Sequence, residues 1–341
     1  MSQTLTLSEF LENTGAKLRF YDLGRRVSRI ARDDFLAFER TEQAYPYPMQ
    51  QKAWFAVVQQ RAQDLATPVI WFLRFDLDEQ AKLVQATRDY FIHRFVELAN
   101  DKPDAENLGK ALDDNPYVFK PRDDKMANFH AMLNCDLGQP PSQYYAHAQQ
   151  YFAGDLGWEQ WNFLGYQGIA DLAARLDQDD NAGQLASAVP QLPDEPLAAL
   201  GQCLENHALP QALADALLAR LQALLTDKAS AAMIAALLRA LALAPDQSRK
   251  QAIELALNAD CAGDPEVLAA IGGRAWESLQ DEATARLYLE TLADESVAQE
   301  IFNHCMADLL RIPGLQQPLL GVLRAPDRSE ALARAFQAML G

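Results

Sequence analysis

The chain has 341 residues, with 30 Lys and Arg against 47 Asp and Glu, which gives a formal net charge of -17. Hydrophobic residues make up 49% and charged residues 23%, proportions typical of a globular protein with a sizeable core. They exclude a disordered, collagen-like or coiled-coil protein as a description of the whole chain. At this length we expect two or three domains, because single cores usually stop growing near about 250 to 300 residues.

The first residues contain Glu9 and Glu12 and have neither the basic start nor the apolar core of a secretory signal. The sequence has no run of about 18 apolar residues that could span a membrane. Its four cysteines lie far apart and form no C-x-x-C pair, which favours reduced thiols over a disulfide framework. We therefore expect a cytoplasmic protein with no membrane partner.

Residues 1–100 are typical of an α+β domain with a small antiparallel sheet. Thr6 followed by Glu9 is a capping-box pattern, which predicts a short helix directly after it. The apolar runs within residues 18–30 predict a β-hairpin, although apolar residues at helical spacing leave a helix as the alternative there. An acidic pair then favours a helix over residues 33–41.

Two further strands and a long helix complete this predicted domain. Residues 53–58 and 69–75 are rich in aromatic and β-branched side chains, so they predict neighbouring strands joined by a loop that contains Pro68. The second run is expected to be a central strand with buried aromatic residues on both faces. Asp78 is a typical N-cap, and the apolar spacing beyond it predicts a helix to about Asn100.

The composition changes near residue 170. Of the 30 aromatic residues 26 precede this point, whereas 38 alanines follow it and 19 precede it. Residues 101–176 are expected to form a loop-rich connector with helices packed on it, because prolines interrupt its first part. A run of Asp, Asn, Gly and Pro over residues 177–196 predicts the boundary before an α-helical, repeat-like domain over residues 190–341.

Eight short amphipathic helices are predicted beyond residue 210. Taken in pairs, they begin near residues 210, 247, 281 and 315, a spacing close to that of helical-repeat proteins. No tetratricopeptide or ankyrin consensus accompanies this spacing. We therefore expect an all-α, HEAT-like helical-repeat domain, or an irregular helical bundle, after the α+β domain.

The sequence contains no recognised catalytic signature. It has no phosphate-binding loop, no G-x-G-x-x-G, no H-E-x-x-H and no G-x-S-x-G. The five histidines are scattered, and the adjacent His304 and Cys305 would point about 100° apart on a helix. We therefore expect no metal and no cofactor, and the sequence assigns no catalytic residue.

Several polar or aromatic clusters have simpler structural explanations than a binding site. Helix capping accounts for the acidic residues of 76–79. Residues 113–115 and 123–125 contain acidic loop elements, but lack the glycine and terminal Glu of a calcium loop. The aromatic residues of 158–166 are expected to pack in a core. A group of four arginines is expected to form a solvated face; they are Arg25, Arg26, Arg29 and Arg32.

Four stretches, at residues 20–27, 71–80, 115–121 and 158–166, resemble those of a bacterial family, found in proteobacteria, that is labelled only as a domain of unknown function. The resemblance extends over nearly the whole chain. It implies a bacterial, cytoplasmic protein, and it implies no activity, cofactor or catalytic residue.

A protein-protein interaction adaptor or regulatory scaffold is the expected function, because stacked helices present an extended face. The acidic C-terminal half favours a protein partner with a basic contact face and disfavours nucleic acid, whose phosphates are bound by Lys and Arg. The alternative is an enzyme or small-ligand-binding protein with a site at the junction of the two domains, using groups such as Arg74, Asp76, Tyr117 or His130. The sequence indicates no oligomeric state.

Overall fold

The computed structural model describes residues 6–13, 15–61, 64–101 and 115–341. The chain divides into two compact units. The first comprises Met1–Arg122 with Arg311–Pro313, and the second comprises Asp123–Leu310 with Gly314–Gly341. The first unit contains an antiparallel sheet and helices, and the second is helical throughout its regular elements. The expected order of an α+β part followed by a helical part is therefore confirmed.

The first unit is built on a four-stranded antiparallel sheet with the order β2-β1-β3-β4. Phe20 of β1 lies opposite Ile30 of β2, so the predicted hairpin is confirmed and its helical alternative is wrong. The strands have the following bounds: β1 Ala16–Asp22, β2 Ser28–Ile30, β3 Lys52–Arg61 and β4 Asp64–Asp76.

Helices α1 (Leu7–Glu12), α2 (Arg32–Glu39) and α3 (Gln85–Asp101) supply apolar side chains to the core on one face of this sheet. The predicted capping box is present, since the Thr6 side chain accepts the Glu9 N–H and the Glu9 carboxylate accepts the Thr6 N–H. Phe20 stacks on Phe35 of α2 with ring centroids 3.9 Å apart. Large aromatic side chains thus fill the space between the sheet and these helices.

The strand β4 lies at an edge of the sheet, so its predicted central position is wrong. Its outer side pairs with the chain near residue 117, where the Arg74 N–H donates to the Tyr117 carbonyl at 2.8 Å. Pro68 lies inside this strand and not in a loop before it, in agreement with the tolerance of edge strands for proline. Trp71 and Phe75 face the core, whereas Phe72 faces the other side of the sheet.

The helix predicted from Asp78 begins at Gln85 instead. The Asp78 carboxylate accepts the N–H groups of Gln80 at 2.9 Å and Lys82 at 2.8 Å. Asp78 therefore closes a turn before the helix, as aspartate often does.

The second unit consists of short helices in two rows. Each helix packs against the second helix after it, so that alternate helices form one row. The first row contains α4 Asp123–Asp136, α6 Tyr166–Ala173, α8 Asp194–Leu204, α10 Ala231–Ala240, α12 Pro265–Arg274, α14 Gln299–Leu309 and α16 Glu330–Leu340. The second row contains α5 Tyr145–Phe152, α7 Asn181–Ala188, α9 Gln211–Thr226, α11 Asp246–Leu257, α13 Glu282–Leu292 and α15 Gln316–Arg324.

Local capping explains where several of these helices begin. Ser230, Asp264, Asp281 and Ser329 each accept a backbone N–H from the first turn of the helix that follows. Such bonds satisfy donors that a helix cannot satisfy itself. All eight helices predicted beyond residue 210 are present.

Two segments of the second unit differ from the sequence prediction. Residues 123–136 of the expected loop-rich connector form α4, and residues 181–188 of the expected boundary form α7. Both helices take part in the rows, α4 against α6 and α7 against α9. Burial of residues such as Phe129 and Leu185 overcomes the weak helix propensity of their Asp- and Asn-rich surroundings.

Candidate functional site

A groove with a volume of about 470 Å³ runs along the first row of the second unit. Three helices line it. Helices α8 and α10 contribute four alanines, Ala198, Ala232, Ala235 and Ala236, and Gln202 is the one larger neutral side chain. On α12, Ala269 and Ala270 also line the groove. Because the alanine side chain ends at Cβ, another chain can approach the backbones of these helices closely.

One end of the groove carries a buried carboxylate held by two arginines. Glu205 follows α8 and is 2% exposed. Arg239 Nε donates to its Oε2 at 2.6 Å, and Arg274 Nε donates to its Oε1 at 3.0 Å. Burial alone would raise the pKa of Glu205, but the positive charges of Arg274 and Arg239 outweigh burial and lower it. The carboxylate is therefore ionised at neutral pH and fixes both arginines in place.

Both arginines hold Glu205 through Nε, and Arg274 Nη1 also donates to the Gly273 carbonyl at 3.1 Å. Their side chains are 27% (Arg239) and 22% (Arg274) exposed and line the groove. Within the part of the chain that the structure describes, the terminal nitrogens of Arg239 donate no hydrogen bond. An arginine held in this way presents a preorganised fork to a carboxylate or phosphate.

The groove is polarised along its length. Arg239 and Arg274 lie at the C-terminal ends of α10 and α12, whereas Glu266 lies in the first turn of α12 and is exposed. Eight residues of helix separate Glu266 from Arg274, which corresponds to about 12 Å at 1.5 Å per residue. The groove therefore has the negative charge of Glu266 at one end and, at the other, a cluster in which the ionised Glu205 offsets one of the two arginine charges.

A smaller pocket of about 200 Å³ lies between α12 and α14 and contains His304, Cys305 and Asp308. Burial raises the pKa of the Cys305 thiol, which opposes a role as a nucleophile at neutral pH. Among the described residues, no group of three or more His, Cys, Asp or Glu side chains could hold a metal ion. All four cysteines are free.

The turns that lead from the second row back to the first form an acidic edge. The acidic edge comprises residues 189–195, 227–230, 258–266, 293–300 and 325–330, which contain eleven acidic and two basic residues. All of the acidic residues are exposed except Asp264, which is half-buried. The chain reverses direction at each short turn between helices, so every second turn lies on the same side of the unit. Lys228 and Asp260, from successive turns, are accordingly 3.3 Å apart.

Six acidic residues of the second unit, which the amphipathic pattern of its helices places on solvent faces, are all exposed or half-buried. Four of them are exposed, namely Glu282, Asp294, Glu295 and Glu300, and two are half-buried, namely Asp281 and Glu290. Three of the exposed ones belong to the acidic edge. The C-terminal half thus directs its negative charge outwards, as the amphipathic pattern predicts.

The residues named for the alternative of an enzyme fall into both units. Arg74, Asp76 and Tyr117 lie in the first unit and His130 lies on α4 of the second. Lys52 pairs with Asp76, and Arg74 Nε donates to the Pro116 carbonyl at 3.0 Å. Burial, with the charge of Asp76, raises the pKa of Tyr117. Burial lowers the pKa of His130, whose ring centroid lies 5.7 Å from that of Phe129.

Other sequence predictions need correction. Arg25 and Arg26 are buried, and Arg25 Nε donates to the Pro48 carbonyl at 2.8 Å, so these two do not belong to a solvated face. Arg29 and Arg32 are exposed. Of the aromatic residues expected in a core, Phe163 is 74% exposed.

The acidic loop elements also differ from their prediction. Residues 123–125 begin helix α4 instead of forming a loop. Asp113 and Asp114 lie outside the described residues. Asp76 pairs with Lys52 and Asp78 closes a turn, whereas Glu79 is exposed.

Sequence reasoning missed the Glu205 cluster, although a signal for it exists. Glu205 and Arg239 are 34 residues apart, and Glu205 and Arg274 are 69 residues apart. The three residues thus occur at the spacing of the helix pairs, at the ends of successive first-row helices. Charges that recur at a repeat spacing lie side by side when the repeats stack.

A family model described as "Protein of unknown function (DUF3549)" matches residues 2–340. No curated protein and no solved structure matches the chain. Within the described residues, no helix has both the length and the apolar character needed to cross a membrane.

Proposed function

The chain belongs to the DUF3549 family, whose description names no activity, and we propose that it is a protein-binding scaffold. The observation that carries the proposal is the acidic edge, a continuous charged surface on stacked helices. Stacked helix pairs offer extended surfaces that bind other proteins. The proposed setting is the cytoplasm of a bacterium, where the chain acts as an adaptor or regulator.

The second unit is, in this proposal, a HEAT-like helical repeat. Its alternating rows support this interpretation, because each helix packs on its neighbours in the same row. The spacing of 34 residues between Glu205 and Arg239 also supports it, since equivalent positions of helical repeats recur at about that interval. A solenoid of this type binds partners through one edge or through the face of one row. The acidic edge and the groove along the first row are surfaces of these two kinds.

The partner of the acidic edge is proposed to carry a basic contact face. A row of exposed carboxylates produces a negative potential that attracts a basic protein surface and speeds encounter. The same potential repels nucleic acid and anionic lipid. Exposed pairs such as Lys228 with Asp260 contribute little to stability, so these charges are available for binding without cost to the fold.

Co-purification with tagged protein from the native host tests the proposal. The edge variant combines Asp260→Asn with Glu300→Gln, both exposed residues of the acidic edge. The control variant combines Asp215→Asn with Glu282→Gln, which are exposed near the starts of second-row helices. Both variants change the net charge equally.

We expect a stoichiometric protein partner on wild-type and control protein and several-fold less of it on the edge variant. Equal recovery on all three proteins would contradict a role of the acidic edge. Retention of a small molecule in place of a protein would favour the enzyme or ligand-binding alternative.

A further inference from the structure

Two adjoining cavities form another groove, which lies between α9 and α11 of the second row. The larger cavity has a volume of about 720 Å³, and the smaller, at the turns that follow the two helices, has about 380 Å³. Leu225 and Ala259 line both cavities, so the two are continuous, and we call them together the second-row groove. One end of it opens on the acidic edge, because Lys228 and Asp260 line the smaller cavity.

Two leucines form an apolar patch inside the second-row groove. Leu225 on α9 and Leu255 on α11 line the larger cavity, and each is half-buried. Part of each side chain therefore stays in contact with water. An apolar side chain of another molecule that lay between them would remove this surface from water, which is favourable.

Side-chain amides line the second-row groove on both helices. Gln222 lies on α9, and Gln251 lies on α11. In the described ranges of the chain, neither of these two side chains makes a hydrogen bond. An amide can donate to a backbone carbonyl and accept from a backbone N–H. An extended segment offers both kinds of group, whereas a helix has already paired most of them internally, so the amides favour an extended segment.

The charge of the second-row groove favours a basic segment. Glu254 lines the larger cavity and is exposed, and no ion pair holds its carboxylate among the described residues. Asp260 lies 3.3 Å from Lys228, but both side chains are exposed, so this pair is weak and open to exchange. Two carboxylates and one ammonium group thus line the groove. This charge is complementary to a partner with a basic contact face.

We propose that the second-row groove binds an extended basic segment of the protein partner, with an apolar side chain on Leu225 and Leu255 and a Lys or Arg beside Glu254. This inference rests on the proposed scaffold function and specifies how the partner is held. The acidic edge attracts the partner over a distance, and the groove next to it supplies the short-range contacts.

Selection from a phage-displayed library of random 12-residue peptides on the full-length protein tests this proposal. We expect enriched peptides to combine Lys or Arg with Leu, Ile or Phe. Methylation of the backbone nitrogens of an enriched peptide should weaken its binding at least tenfold, because methylated nitrogens cannot donate to Gln222 or Gln251. Equal binding of the methylated peptide would overturn the proposal.

Variants of the groove locate the binding site. Leu255→Lys should weaken binding of an enriched peptide at least tenfold, because it removes an apolar contact and repels a basic segment. Leu320→Lys is the matched control, since Leu320 is also a half-buried leucine on a second-row helix, α15. It should leave the peptide affinity unchanged.

A second variant keeps the test independent of any effect of Leu255→Lys on folding. Glu254→Gln changes only the charge of an exposed side chain, and it should weaken binding about threefold and lower the dependence of the affinity on salt. Glu282→Gln, at an exposed position of α13, is its control and should change neither.

Several results would overturn the proposal. They are the absence of enriched peptides, enriched peptides without Lys or Arg, and an affinity that neither Leu255→Lys nor Glu254→Gln changes. Dimers of the wild-type protein that Leu255→Lys dissociates would show that a second copy occupies the groove, and would equally overturn it.

Recovery of the native partner separates this proposal from the scaffold function. If Asp260→Asn with Glu300→Gln reduces recovery and Leu255→Lys does not, the scaffold function stands and the groove proposal fails. If wild-type protein recovers no protein partner, the scaffold function fails, whereas peptide binding that Leu255→Lys abolishes would still support the groove.

Discussion

Replacement of Glu39 by glutamine should remove a pH dependence of stability from the first unit. Glu39 ends α2 and is 1% exposed. Its carboxylate accepts the Leu7 N–H at 2.9 Å, the Ser8 N–H at 3.2 Å and the Ser8 hydroxyl, and so caps the start of α1. Burial nevertheless raises the pKa of Glu39 from 4.5 to about 7, against the opposing effect of these hydrogen bonds and of Arg88.

The direction of this pH dependence follows from proton binding in the folded and the unfolded states. Between pH 4.5 and about 7 the folded protein keeps the Glu39 proton and the unfolded chain does not. The free energy of unfolding therefore falls as the pH rises through this range, by about 1.4 kcal/mol for each unit of difference between the two pKa values. The raised pKa of Glu39 therefore lowers the free energy of unfolding by about 3 kcal/mol above pH 7 and has no effect on it below pH 4.5.

Urea unfolding of wild-type protein and Glu39→Gln between pH 5 and pH 8 measures this effect. Glutamine keeps the size of glutamate and one acceptor oxygen, so the variant should be the more stable protein at pH 8, and its advantage should shrink by about 2 kcal/mol or more towards pH 5. A stability difference that stays constant within about 0.5 kcal/mol over this range would refute the assignment of a raised pKa to Glu39.

Three further predictions concern the two cores and the ion cluster. Glu205→Gln should lower the free energy of unfolding by about 2 to 4 kcal/mol in urea titrations, because two arginines lose the charge of their buried partner. Their partial exposure to water limits this loss. A loss below about 0.5 kcal/mol would contradict a structural role of Glu205. Phe75→Ala, at a fully buried core position, should cost about 3 to 5 kcal/mol and Trp71→Ala, half-buried on the edge strand, clearly less; the reverse order would be inconsistent with the register. A fragment of residues 123–341 should show an almost wholly helical circular dichroism spectrum, and sheet content or an unfolded fragment would contradict the division into units.

Local sequence signals predicted most of the elements. Thr6 with Glu9 marked the start of α1, because capping depends on side chains close to the helix end. Aromatic and β-branched residues marked β3 and β4 in the same way. The strand order, which places β4 at an edge, depends on contacts between distant residues, and nothing local to residues 69–75 encodes it.

The elements that sequence analysis missed depend on tertiary packing. Helices α4 and α7 lie in segments whose composition favours loops, and burial against their row neighbours stabilises them. Arg25 and Arg26 resemble a solvated charge cluster, yet they are buried in the first unit. Burial of charge cannot be inferred from composition, since it requires partners that other segments supply.

The candidate site was only partly accessible to sequence analysis. The negative charge of the C-terminal half predicted an acidic surface, and its concentration in the turns of one edge follows from the alternation of the rows. The groove could not be predicted, because Ala269 or Arg239 acquires a meaning only when α10 and α12 lie side by side. Recurrence at the repeat spacing is the sequence feature that would have revealed Glu205, Arg239 and Arg274 together.

The association rate of the co-purified partner, measured against salt concentration, tests the central claim most directly. The Debye length falls from about 10 Å at 0.1 M salt to about 3 Å at 1 M, so added salt screens the acidic edge. We predict that the rate for wild-type protein falls steeply as salt rises, and that Asp260→Asn with Glu300→Gln lowers both the rate and its dependence on salt, unlike the control with Asp215→Asn and Glu282→Gln. A rate that does not change with salt, or edge and control variants with the same salt dependence, would contradict the account.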